Sequence, residues 1–334
     1  MLWNVRCISS RTLLLPNLIH FATLISQSGP SKCLFDLILG DGPMDATVVF
    51  DRESVRVSDL LEPGTKAMEM YEYLRKHPKV QSYLRTANRM AVSRLGYTDH
   101  GPIHAEVATW NALRAFEILE RSFIPNVVAE GIGDMDDSRL VVLASTYLHD
   151  IGMVIHRNEH PQAAVHLAAP ILESKLNEIY DDPAKATDLL SFALHGIYAH
   201  DDDTMCLTLE AGITKIGDGC DMTKGRTIIP YQKGKVDIHS VSALAIDEVI
   251  LEPGSDKPLQ ITVAMDNPAG VFQVQAVLEK KISTSGLKDH IAVDVLVNGE
   301  RLVLSRVRRL FRVQVTHHDD TITIKEKESS QKNE

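Results

Sequence analysis

The segment from Ser138 to Gly152 constrains this chain more than any other. Behind Ser138, read as a helix N-cap, runs an apolar stretch (Leu140, Val141, Leu143, Ala144, Tyr147, Leu148) that ends on His149-Asp150 and stops at Gly152. A helix apolar on so much of its surface belongs in the middle of a bundle. A charged pair at its end is expensive to bury unless something compensates it. Neutral imidazole and carboxylate facing a divalent cation is one compensation, and a His–Asp hydrogen bond without metal is the other. The dipeptide alone leaves both open, because His-Asp occurs again at His200-Asp201 and at His318-Asp319.

The flanking sequence supplies the bundle. From Thr65 to about His200 the apolar spacing is helical, and Ala105 to Arg121 carries a stripe of Val107, Leu113, Phe116 and Leu119. Pro161–Leu176, Ala184–Tyr198 and Thr208–Ile216 read as further helices. After Pro230 the pattern changes. Glu248–Leu251, Leu259–Met265 and Ile291–Val297 read as strands, Val271–Ile282 as an amphipathic helix, Asn298-Gly299 as a turn, and Arg301 to Ile324 as two more strands. The expected fold is mainly α, a helical bundle over 44–230, followed by a small α+β domain over 231–324. Residues 1–43 read as an upstream extension or a targeting-like segment outside the fold, with the domain opening at Met44, and 325–334 as a charged, disordered tail.

Composition narrows the function. A net charge of -10 creates no field for duplex nucleic acid or an anionic membrane. Cys7, Cys33, Cys206 and Cys220 lack the spacing of a zinc knuckle or a disulfide framework, which suggests a reducing, cytoplasmic setting. There is no phosphate-binding P-loop, no dinucleotide fingerprint and no nucleophile elbow. Fourteen histidines, several of them between His100 and His200, direct attention to metal ligation instead.

His104 opens the long Ala105 helix after Asp99-His100-Gly101-Pro102-Ile103. His149-Asp150 follows, then His156, His160-Pro161 and His195, and finally Asp218 in Ile216-Gly217-Asp218-Gly219-Cys220-Asp221-Met222-Thr223-Lys224-Gly225-Arg226. Histidine, then His-Asp, then a late Asp in an apolar helix is an order that resembles the HD superfamily of metal-dependent phosphohydrolases, in an archaeal and bacterial branch. The late segment is similar to that branch's AD-x-x-D-M-T-x-G-R, with Gly217 in place of Ala, and Asp237–Ile246 and Asp266–Val274 are similar as well.

The resemblance implies that His104, His149, Asp150 and Asp218 hold one divalent ion (Mn, Fe, Co, Ni or Mg) and that His160 and His195 supply a second, with His156 and His200 behind them. It also implies an Asp150 carboxylate shared between the ions. Asp150, Lys224 and Arg226 are then the expected catalytic groups, and Arg89, Arg94, Lys224 and Arg226 the expected grips on phosphate. Asp221, three residues after Asp218, either orients a ligand or pairs with Lys224. The implied partner is a small phosphorylated substrate, a nucleotide among the options, and a homo-oligomer is compatible with the pattern. Two other readings stand beside hydrolysis: a non-catalytic ligand-binding or regulatory protein that keeps the fold, and a di-iron oxygenase with the same ligand types.

Overall fold

The computed structural model describes residues 52, 54–226, 238–302, 314–318 and 321–325. The segment 1–43, the expected domain boundary at 230/231, Asp319 and the tail beyond Lys325 lie outside the described residues.

The helices are α1 (Lys66–Lys76), α2 (Pro78–Asn88), α3 (Pro102–Leu119), α4 (Met135–Leu148), α5 (His160–Ile179), α6 (Pro183–Ala199), α7 (Leu209–Cys220) and α8 (Ile238–Leu244). Helix α2 runs on as a π-helical turn, Arg89–Leu95, which ends on Gly96 in the left-handed region at φ 65°. As expected, α4 is central: every residue from Leu140 to Leu148 is buried, and α1, α3, α6 and α7 all pack on it. Its start differs from the expected one. Asp134 is the N-cap, accepting from the Asp137 N–H while the Asp137 side chain accepts from the Asp134 N–H. Ser138 sits one turn inside, and its hydroxyl donates to Glu210 at 3.2 Å.

Helix α7 is buried from Glu210 to Cys220, and its glycines permit that. A Cβ at Gly217 would lie 2.5 Å from the Ala112 Cβ and 2.7 Å from the Ala108 carbonyl oxygen. The departure from alanine at this position therefore has a packing cause: α3 crosses α7 too closely for a side chain there.

The mixed part forms a sheet ordered β1 (Ile246–Pro253), β2 (Leu259–Met265), β3 (Ile291–Val297) and β4 (Glu300–Leu302). β1 and β2 are antiparallel, β2 and β3 parallel, and β3 and β4 antiparallel. A parallel pair needs a crossover. It is made by the contiguous helical turns Val271–Gln273, Val274–Leu278 and Glu279–Thr284, together called α9. Along β2, burial alternates, and Leu259, Ile261, Val263 and Met265 share the core with Val274, Leu278 and Ile282 of α9. The turn at Asn298-Gly299 is present, with φ of 50° and 81°. Strands β5 (Gln314–His318) and β6 (Thr321–Lys325) pair antiparallel as a separate hairpin. One hydrophobic core runs from Val57 through the bundle to Val295 of the sheet.

Asp137 also anchors α1, α5 and α6 to the start of α4. Its fully buried carboxylate pairs with Lys66 at 2.5 Å and Lys185 at 2.7 Å, and accepts from the Tyr180 hydroxyl at 2.6 Å. Burial alone would raise its pKa, but Lys185, Lys66 and Tyr180 bring it down to about 2 from the ordinary 3.8. A depressed carboxylate contributes stability above its unfolded pKa and loses it on protonation. Unfolding free energy is therefore expected to fall by about 2 kcal/mol between pH 4 and pH 2 on account of this group. Asp137→Asn should flatten that limb in denaturant titrations, and an unchanged acid limb would show that Asp137 is not its source.

Candidate metal centre

Three structural features bring the expected ligands together. His104 stands in the first turn of α3, two residues after Pro102 at the helix start. His149 closes α4, and Asp150 opens the single turn Ile151–Val154. Asp218 comes from the last turn of α7. His104 Nε2 lies 3.1 Å from His149 Nε2, 3.3 Å from Asp150 Oδ2 and 3.3 Å from Asp218 Oδ1. His149 Nε2 lies 3.2 Å from Asp150 Oδ2 and 3.6 Å from Asp218 Oδ1. Ligands about 2.1 Å from one ion sit roughly 3.0–3.4 Å from each other in octahedral or tetrahedral geometry. The two imidazoles thus stand near that spacing from each other and from an oxygen of each carboxylate.

The other oxygen of Asp150 faces a second set. His160 Nε2 is 3.3 Å and His200 Nε2 3.8 Å from Asp150 Oδ1, and the two ring nitrogens are 3.1 Å apart. The residue expected with His160 was His195, and the structure does not bring it here. His195 points from α6 towards the following loop, where its Nε2 accepts from the Leu207 N–H at 3.0 Å. His200, five residues on, caps α6 from a different side of the helix and takes the expected place. His156 is exposed and accepts from the Asn158 N–H.

The imidazoles are all oriented the same way. Nδ1 of His149, His160 and His200 is satisfied by the carbonyls of Thr146, Arg157 and Ile197, at 2.6, 2.9 and 2.6 Å. Nδ1 of His104 donates to Asp221 Oδ2 at 2.7 Å. Each Nε2 is left facing its neighbour, so two pairs of lone pairs confront each other across 3.1 Å. Only a proton or a cation between the members of each pair makes that arrangement favourable.

The field has the sign for a cation. Burial opposes ionisation of Asp150 and Asp218, yet both carboxyls are held well below the usual range, Asp150 by His149, His100 and His104 and Asp218 by Lys281, His149 and His104. Burial and the Arg226 charge push His104 down, but Asp150, Asp218 and Asp221 hold it up to about 10. For His149, Asp150 and Asp218 overcome burial and hold it up to about 9. His200, against His149 and His160, is pushed well down by burial first. A site that draws protons onto two buried imidazoles also attracts a dication, which displaces them. Residues His104, His149, Asp150, Asp218 and His200 can hold a metal ion.

Asp221 belongs to this centre, not to Lys224. Besides His104 it meets Arg52, with Nε 3.1 Å from Oδ1 and Nη2 2.6 Å from Oδ2. Lys224 instead pairs with Asp247 at 2.6 Å near the surface. A carboxylate behind a ligand histidine fixes its tautomer and orientation, and losing such a partner typically costs 10- to 100-fold in metal affinity. Asp221→Asn is accordingly expected to weaken Mn²⁺ binding about 10- to 100-fold while leaving helical content intact. Calorimetric titration checks this, and wild-type affinity would assign Asp221 to packing alone.

Of the cations expected to grip phosphate, Arg226 lies beside the cluster. Its Nη2 is 3.3 Å from His104 Nε2 and its Nη1 3.9 Å from Asp218 Oδ1, while it donates to the carbonyls of Asp99 and Asp221. Arg89 and Arg94 are exposed on the π-helical turn, and neither is brought to the cluster. Besides Arg52, the sequence reading missed two more cations. Arg157, three residues before His160, lies with Nη1 3.2 Å from the His160 Nε2. Lys281 of α9 meets Asp218 Oδ2 at 2.8 Å. The position of Arg157 beside His160-Pro161 offered a faint signal, whereas Lys281 had none, being one of two lysines on an amphipathic helix.

No family model and no solved structure matches the chain. It is 42% identical over 239 residues to "Uncharacterized protein MJ1020" of Methanocaldococcus jannaschii, a match covering 71% of this chain and 92% of that protein. The chain belongs to the family of this archaeal protein.

Proposed function

We propose that this chain is a metal-dependent phosphohydrolase of the HD superfamily, cleaving a small phosphate ester or nucleotide. The observation that carries the reading is the placement of Asp150. One oxygen faces His104 and His149, and the other faces His160 and His200, so that one carboxylate would serve both sets of ligands.

The residues fit such a pair. His104, His149, Asp150 and Asp218 would hold the first ion, and Asp150, His160 and His200 the second. Four nitrogens and two carboxylates form a mixed set that suits Mn, Fe, Co, Ni or Mg. Bound divalent ions supply an activated water at neutral pH and polarise a phosphoryl oxygen. The protein's own groups do the rest. Arg226 on one flank and Arg157 on the other reach the two ends of the cluster, where each guanidinium can grip a non-bridging phosphate oxygen. Asp221 and the three backbone carbonyls keep the imidazoles fixed during turnover.

The test is metal analysis of the purified protein, followed by an anaerobic screen of nucleotides and small phosphoesters with Mn²⁺, Co²⁺, Ni²⁺ and Mg²⁺. Phosphate release that disappears on chelation and returns with metal is the expected result. Oxygen-dependent turnover of an iron-loaded sample, with no phosphoester hydrolysed anaerobically, would replace hydrolysis with oxygenase chemistry.

A further inference from the structure

Helix α9 belongs to the mixed module, yet it reaches the metal centre. Lys281 is 7% exposed, and its ammonium has three partners for its three protons: Asp218 Oδ2 at 2.8 Å, Asp202 Oδ1 at 3.1 Å and the His200 carbonyl at 2.9 Å. The seam continues beside it. The Cys206 N–H donates to the Thr284 carbonyl at 2.9 Å, Lys215 to the Thr284 hydroxyl at 2.7 Å, and that hydroxyl to the Asp202 carbonyl at 3.0 Å. The turn that follows His200 is therefore stitched to α9 as well as to its own helix bundle, where Lys215 of α7 donates to the Thr204 carbonyl.

Two ligands are affected, one from each set. With Oδ2 of Asp218 taken by Lys281, only Oδ1, the oxygen facing His104 and His149, is left for an ion. With the His200 carbonyl held, the backbone that carries that imidazole is fixed as well. A cation so close would repel a dication, and Asp202 partly offsets it. Charge is therefore not what Lys281 contributes to binding, and geometry is.

We infer that the C-terminal module is a working part of the metal centre: Lys281 is a positioning residue that restricts Asp218 to one-oxygen ligation and fixes the His200 turn. The inference rests on the reading of the cluster as a metal site, and not on which reaction that site performs.

Cobalt(II) loading of the full-length protein tests it, because the visible absorption of Co²⁺ reports coordination number. In Lys281→Met, Asp218 is free to offer both oxygens, so the band is expected to weaken and shift while the far-ultraviolet circular dichroism stays that of wild type. Lys281→Gln, whose amide keeps a donor near the same place, should lie between the two. In the unaltered protein, saturating Mn²⁺ should slow hydrogen exchange in the 279–285 backbone about tenfold or more, although no ligand lies there. A wild-type Co²⁺ spectrum in whichever of the two variants folds, or exchange in 279–285 indifferent to Mn²⁺, overturns the inference. Should the wild-type chain take up neither Co²⁺ nor Mn²⁺, the metal reading falls together with it. Uptake with a Co²⁺ spectrum insensitive to position 281 removes this inference alone.

Discussion

Asp150→Asn is expected to reduce bound metal from two ions to at most one and to abolish hydrolysis, by on the order of 10³-fold or more. The substitution preserves size and one oxygen, so the cost of a cavity does not enter. It replaces the second oxygen with an N–H₂ group, which repels a cation and cannot ligate it. Whichever way the amide turns, one of the two sets loses its shared ligand: His104 with His149 and Asp218, or His160 with His200. Folding should survive, because a buried carboxylate carries a desolvation penalty of several kcal/mol that the neutral amide does not. Losing this charge weakens the pull that raises His104 and His149, while Asp218 still acts on both. Metal analysis, a chelation-and-readdition assay and a melting curve together decide the matter. Two ions retained with full turnover would refute the bridging role and, with it, the proposed chemistry.

The ligand set was partly legible in the sequence, for identifiable reasons. His104, His149, Asp150 and Asp218 lie on or at the ends of strongly periodic helices, where local pattern decides which face is buried, and all four converge as expected. The choice between His195 and His200 was not local. Both belong to the same stretch, and what separates them is where α6 ends and which side then meets Asp150. Helical periodicity does not fix the last residue of a helix to better than one or two positions. The same limitation misplaced the start of α4 at Ser138. There the Asp134–Asp137 capping box, a less familiar pairing than Ser with Glu, sets the boundary. Arg52 and Lys281 were beyond reach altogether. Each is separated from its partner by more than sixty residues of chain, at |i−j| of 169 for Arg52 and Asp221, and only the packing of α9 against α7 brings Lys281 to Asp218. The helix-then-sheet order, by contrast, follows from a change of apolar period after Pro230, and the structure shows it.

The largest effect on stability is expected from the smallest substitution, Gly152→Ala. Gly152 sits in the turn between Asp150 and α5, and a Cβ there would lie 2.0 Å from the His160 carbonyl oxygen and 2.5 Å from the Ala164 backbone nitrogen. Both obstacles are main-chain atoms inside α5, so no rotamer change relieves them. The turn Ile151–Val154 and α5 must move apart. Overpacking of this kind usually costs 1–3 kcal/mol, and backbone obstruction places it at the upper end, about 3 kcal/mol or more. For a domain of this size that amounts to a fall in melting temperature of roughly 10 °C.

The direction of the movement matters more than its cost. Asp150 is two residues before the glycine, and His160 is the residue whose carbonyl is struck, so the wedge opens between the two groups, 3.3 Å apart, that are proposed to share a second ion. Affinity for that ion should fall at least tenfold, while the first set, held by α3, α4 and α7, keeps its ion. Differential scanning calorimetry and a two-site titration would show both effects. Wild-type melting together with two intact binding events would mean that α5 does not hold His160 against this turn. Loss of both ions at once would mean instead that the two sets move as one body, and that the sharing of Asp150 is tighter than the separate sets imply.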